Sequence, residues 1–154
     1  MKGLKTVVFG ITVLAVLAFA GVGAAVASSG SSARVATVAS GSSALGRIIV
    51  DSRGHTLYLF EKDRRGASAC SGACLVYWPP LLTSGAPTAT KGARPSLLGS
   101  IRRADGTRQV TYAGHPLYFF SGDARRGQTN GEGLKDFGAA WYALTPSGKT
   151  IDRD

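Results

Sequence analysis

Six residues hold most of the reactive chemistry in this sequence: Cys70 and Cys74, His55 and His115, Asp63 and Asp123. The two cysteines are the only ones in the chain. In a chain with an export leader, such a close pair predicts a disulfide that staples the segment before Trp78. Closing so short a loop contributes about 2 kcal/mol through loop-closure entropy. The spacing is not the C-x-x-C of thioredoxin-like redox motifs, and Leu75 follows Cys74 where covalent haem attachment needs a His. The two histidines are likewise the only ones. Together with Asp63 and Asp123 they could form a symmetric metal site, so a redox or metal-handling protein is one alternative. Against it, His and Asp stand at opposite ends of their motif, about 26 Å apart on an extended strand. The structural alternative has each His bonded to backbone beside a turn glycine, and each Asp closing a turn or pairing with a following Arg. Asp63 and Asp123 could also act as the paired carboxylates of a small hydrolase. Neither a Gly-x-Ser-x-Gly elbow nor a phosphate-cradling loop ending in Lys-Ser/Thr is present.

These residues recur because the chain repeats itself. Gly54-His55-Thr56-Leu57-Tyr58-Leu59-Phe60-Glu61-Lys62-Asp63-Arg64-Arg65-Gly66 is matched by Gly114-His115-Pro116-Leu117-Tyr118-Phe119-Phe120-Ser121-Gly122-Asp123-Ala124-Arg125-Arg126-Gly127. Ala124 is the one insertion, and a Trp follows each copy, Trp78 and Trp141. Each unit has only about 50 residues, marginal for a core of its own. Two units are too few for an open solenoid. They are therefore expected to share one core about a pseudo-twofold axis. Tyr58, Phe60, Tyr118, Phe120, Trp78 and Trp141 then form a shared aromatic core or, alternatively, line a ligand groove at that axis with Asp63 and Asp123.

The elements that must position these side chains are strands. Arg47–Val50, the turn Asp51–Gly54 and His55–Phe60 read as a hairpin, as do Gln109–Tyr112, Ala113-Gly114 and His115–Phe120. Thr56, Tyr58 and Phe60 face one way and His55, Leu57 and Leu59 the other, as in central strands covered on both sides. Further turns are read at 103–107 and 145–149, and residues 83–96 as a surface loop joining the halves. The fold class is mostly β, a single pseudo-twofold domain built from two repeated β-hairpin or meander units with little helix.

Outside the repeats, Lys2 and Lys5 precede an apolar run from Thr6 to Ala27 that ends in the small-x-small pattern Ala25-Val26-Ala27. Residues 1–27 thus read as a signal peptide, with an uncleaved membrane anchor as the alternative. Residues 28–44 read as a flexible Ser/Ala/Gly-rich tether. The domain is expected over 45–154, with repeat one at about 45–82 and repeat two at about 98–152. The balance of 18 Lys+Arg against 9 Asp+Glu, a net +9, makes the chain basic. Its basic residues fall in short scattered pairs rather than a helix or tail, which argues against nucleic acid and for weak attraction to an anionic envelope component.

The paired Tyr-x-Phe-x-x-Asp motifs, with Cys70-Ser71-Gly72-Ala73-Cys74 and Trp78-Pro79-Pro80-Leu81, resemble the bacterial secreted-repeat family of predicted lipoproteins carrying a Tyr-x-[Phe/Trp/Tyr]-x-x-Asp motif. The resemblance covers about residues 45–152, and that family's function is not established. No Cys follows the leader, so no lipid anchor is expected. The resulting expectation is an exported cell-envelope or secreted module, non-catalytic and without a cofactor. Its partner would be an anionic envelope polymer, a small ligand or an envelope protein.

Overall fold

The computed structural model describes Gly3 and residues 34–151. Apart from Gly3, the expected signal peptide and the start of the expected tether lie outside the described residues.

Among the described residues the domain has nine short strands, one α-helical turn and one 3-10 turn (Pro95–Leu97). The strands and the α-helical turn are β1 (Thr37–Ser43), β2 (Gly46–Asp51), β3 (Tyr58–Phe60), α1 (Cys74–Tyr77), β4 (Thr88–Thr90), β5 (Leu98–Arg102), β6 (Arg108–Tyr112), β7 (His115–Pro116), β8 (Lys135–Asp136) and β9 (Ala139–Ala143). They form three small sheets in the orders β2-β1-β4, β3-β9-β8 and β5-β6-β7. The domain is mostly β and built from repeated hairpins.

The two halves use the same local devices. β1 and β2 make one antiparallel hairpin, and β5 and β6 make the other. Past β2, the turn closes through Gly54 N–H to Asp51 O and Asp51 N–H to His55 O. Past β6, Ala113 and Gly114 turn the chain with φ of 51° and 84°, the two-residue geometry that matches strand twist. The turns at 103–107 and 145–149 are closed by Arg103 N–H to Thr107 O and Thr145 N–H to Lys149 O.

Two corrections concern boundaries. The expected tether runs to residue 44, yet Thr37–Ser43 is a seven-residue strand paired from Val38 to Ser43 with β2. Its buried side chains are Val38, Ala39 and Ser40, so it packs with little of the bulky apolar signal that marks a strand. Residues 83–96 are not wholly loop either, because β4 lies parallel to β1 over Thr37–Ala39.

The repeat strands are buried on both faces, and two cores result. Leu57, Leu59 and Leu117 pack on one side with Val38, Ile49, Val110, Tyr112 and Leu144. Tyr58, Phe60 and Tyr118 pack on the other with Ile48, Val50, Trp78, Trp141 and the cysteines. Cys70 and Cys74 form a disulfide with Cα atoms 5.4 Å apart, tying α1 to the chain ahead of it.

The second core leaves no room at Gly131, where an added Cβ would lie 2.8 Å from Trp78 and 3.0 Å from Tyr58. Overpacking of this kind costs about 1–3 kcal/mol. Gly131→Ala should therefore lower the urea midpoint with an unchanged slope, and a midpoint equal to wild type would show that the aromatic core is looser than described.

Candidate functional site

The centre of the molecule is built where the two motifs meet. Tyr58 and Tyr118 form an antiparallel bridge, each donating its N–H to the other's carbonyl at 2.8 and 3.0 Å. Equivalent residues pair with each other, so a local twofold axis passes between them. Because the strands run in opposite directions, the start of one motif lies against the end of the other.

That crossing sets every polar contact of the motif. The Tyr58 hydroxyl donates to Asp123 at 2.6 Å, and the Tyr118 hydroxyl donates to Asp63 at 2.8 Å. Each Asp uses its second oxygen to accept a backbone N–H from its own downstream loop, Ala69 for Asp63 and Asn130 for Asp123. Each Tyr oxygen also accepts. Gly131 N–H donates to Tyr58. Tyr118 directs its one hydroxyl hydrogen at Asp63, so the Ser68 hydroxyl 2.6 Å away donates to Tyr118. The second arginine of each motif crosses too: Arg126 lies against Gly54, and Arg65 against Gly114.

The aromatic residues follow the same symmetry. Phe60 stacks on Trp141 with ring centroids 4.0 Å apart, Trp141 stacks on Trp78 at 3.9 Å, and Phe120 caps the column at 4.4 Å from Trp78. Tyr58 meets Trp78 edge-on and Tyr118 meets Trp141 edge-on. Tyr58, Tyr118, Trp78 and Trp141 are fully buried. These side chains form an interior column, not the wall of an open groove, because two shallow half-cores close only by interleaving their largest rings.

Burial, reinforced by the facing carboxylate, pushes both tyrosine hydroxyls well above their ordinary range. Asp63 and Asp123 are raised as well, by burial first, against the lowering pull of their hydrogen bonds. The two carboxylates belong to separate networks, each with its own Tyr and backbone N–H.

His55 sits 3.6 Å from Asp51 and near enough to Asp123 for its charge to lower that carboxyl. His115 is half-buried beside Arg65, and burial followed by that cation lowers its pKa. Among the described residues, no three His, Cys, Asp or Glu side chains come together as a metal-binding group. The crossing places each His towards the other half, so the two histidines and two aspartates do not converge on one point.

Several residues of this centre carry no motif signal. Arg103 donates to Ser68, to Gln109 and to the Cys70 carbonyl, while its Nε is buried without a partner. Gln109, fully buried, passes the network on to the Leu117 carbonyl. Asp51 accepts the N–H groups of Arg53 and His55 and the Arg53 Nε, shaping the first turn. In the sequence Arg103 is only one member of a basic pair, and nothing marks it as the cation beside Asp63.

The raised carboxyls give a signed pH prediction. The folded state binds these two protons more readily than the unfolded chain. The resulting stability is full below the ordinary carboxyl value of 3.8 and is lost as pH rises through the raised values. The stability of wild type minus that of an Asp63→Asn, Asp123→Asn variant should therefore increase as pH falls from 7 through that window. A difference that decreases over the same window would contradict burial as the dominant cause.

Comparison with known proteins agrees with the geometry of two interlocked repeats. The profile of the family described as "Secreted repeat of unknown function" matches residues 40–82 and 99–145, one match for each half. A search of the curated proteins and of the solved structures returns no match. Among the described residues no helix is long and apolar enough to cross a membrane. Two matches in register with the two structural halves cover more than half of the chain, and the protein belongs to the family of secreted repeats of unknown function.

Proposed function

We propose that this protein is an exported cell-envelope module that binds an anionic envelope polymer without catalysing a reaction on it. One observation carries the reading. The motif's own Tyr and Asp side chains are engaged with each other across the twofold, which leaves a surface dominated by cations to meet a partner. Among the described residues the only ion pairs are those of Asp51 with Arg53 and His55. Among the described residues no other arginine or lysine has a carboxylate at ion-pair distance, and a surface charge left unpaired in this way steers and holds polyanions.

The reading predicts that the exported protein co-sediments with isolated envelope material and is released by raising salt from about 0.05 to 0.5 M, where the screening length falls several-fold. No association at low salt would overturn it. Association that high salt does not release would favour a second reading, a protein partner docked on the exposed apolar side chains Val76, Tyr77 and Phe137.

A further inference from the structure

The scattered basic residues gather at one concave place. A cleft of about 320 Å³ opens between β1, the turn after β2, the turn after β4 and the end of the second motif. Arg53, Lys91 and Arg126 stand in its lining, one from each of three separate segments, and Asp51 is the one carboxylate there. Asp51 is buried and already holds Arg53 and the N–H groups of its own turn. Neither Lys91 nor Arg126 has a carboxylate at ion-pair distance among the described residues.

Three further features shape the cleft for a ligand. β4 pairs with β1 only over Thr37–Ala39, so the strand edge at Ser40, Gly41 and Ser42 borders the cleft with no strand against it. Arg126 is held in place where Gly127 N–H bonds the Gly54 carbonyl, a position that exists only because the motifs cross. Lys91 has a φ of 49°, a left-handed conformation that side chains adopt at a cost, and it sits in a tight turn with Gly92 where Asn or Gly is the favoured residue. Arg47 donates to the Lys91 carbonyl and to Ser40, bracing the turn against β1. A lysine kept in a conformation better suited to glycine points to a use for its charge.

The geometry points to this cleft as a binding site for a phosphoryl group carried on a polyol-phosphate or sugar-phosphate chain, an assignment that rests on the polyanion reading above. A planar carboxylate is satisfied by one arginine fork, whereas a tetrahedral phosphoryl group offers oxygens to donors arriving from several directions. Three cations from three segments, the Ser42 and Ser52 hydroxyls and an open strand edge match the second pattern. The volume is at the small end of ligand pockets, enough for one phosphoryl unit and its attached alcohol.

The test is calorimetric titration of the exported protein with glycerol 3-phosphate, inorganic phosphate and glucuronate, beside envelope co-sedimentation. Saturable binding of glycerol 3-phosphate is expected, weakened about tenfold or more by Arg126→Ala and by Lys91→Gly, and unaffected by Arg64→Ala, a change outside the cleft. Lys91→Gly should also raise the melting temperature, because it relieves the left-handed lysine; binding lost in a more stable variant cannot be blamed on unfolding. Glucuronate binding as tightly as the phosphates, no saturable phosphate binding, or equal loss in Arg64→Ala would each overturn the phosphoryl assignment. Full envelope binding by the Arg126→Ala, Lys91→Gly double variant would overturn the cleft and leave the envelope reading intact. Phosphate binding without envelope binding would uphold the cleft and overturn that reading.

Discussion

A buried tyrosine hydroxyl must find a hydrogen-bond partner or cost the fold a few kcal/mol. In this domain neither motif supplies that partner to itself. Tyr58 reaches Asp123 and Tyr118 reaches Asp63, so each half satisfies its motif tyrosine through the carboxylate of the other. The exchange fixes the antiparallel register at the Tyr58–Tyr118 bridge. It also brings Trp78 and Trp141 face to face, and it anchors the loops at Ala69 and Asn130 through the second oxygen of each Asp. Strands of two to seven residues with two divided cores need such a lock, since neither half has enough apolar surface to stand alone.

Much of this architecture was legible in the sequence, for identifiable reasons. The repeat is visible because the same burial problem is solved twice with the same residues. Alternation in Thr56–Phe60 and the turn residues at Asp51–Gly54 and Ala113-Gly114 carry direct physical signals. The cysteine pair is readable from its isolation. β1 was hidden because a strand lined by Val38, Ala39, Ser40 and Gly41 has the composition of a linker; Gly41 belongs there because an added Cβ would stand 3.0 Å from Val50. Arg103 was hidden because its importance comes from contacts far along the chain, Ser68 and Cys70, and Gln109 because its Leu117 carbonyl partner comes within reach only when the β6–β7 turn folds. The direction of the Tyr–Asp exchange is also a tertiary fact: a one-dimensional motif cannot say whether its Tyr meets its own Asp or its twin's.

Tyr and Asp recurring at fixed spacing suggest a site, and here the spacing serves an interlock instead. The concave surface beside the motif is lined above all by the Asp51–Gly54 turn of the first copy and Arg126-Gly127 of the second. The halves are not equivalent there. Asp51, Ser52 and Arg53 shape the first turn, whereas Ala113 stands alone before Gly114 in the second. Both copies share the lock, and the basic concavity is built on the turn of the first.

The reciprocal exchange is tested most directly by double-mutant cycles on unfolding free energy. Tyr58→Phe combined with Asp123→Ala should show a coupling of about 1–3 kcal/mol, as expected for a hydrogen bond to a carboxylate, and Tyr118→Phe with Asp63→Ala the same. Tyr58→Phe with Asp63→Ala should be additive to within about 0.5 kcal/mol. Strong coupling within a motif, and none across the axis, would contradict the account.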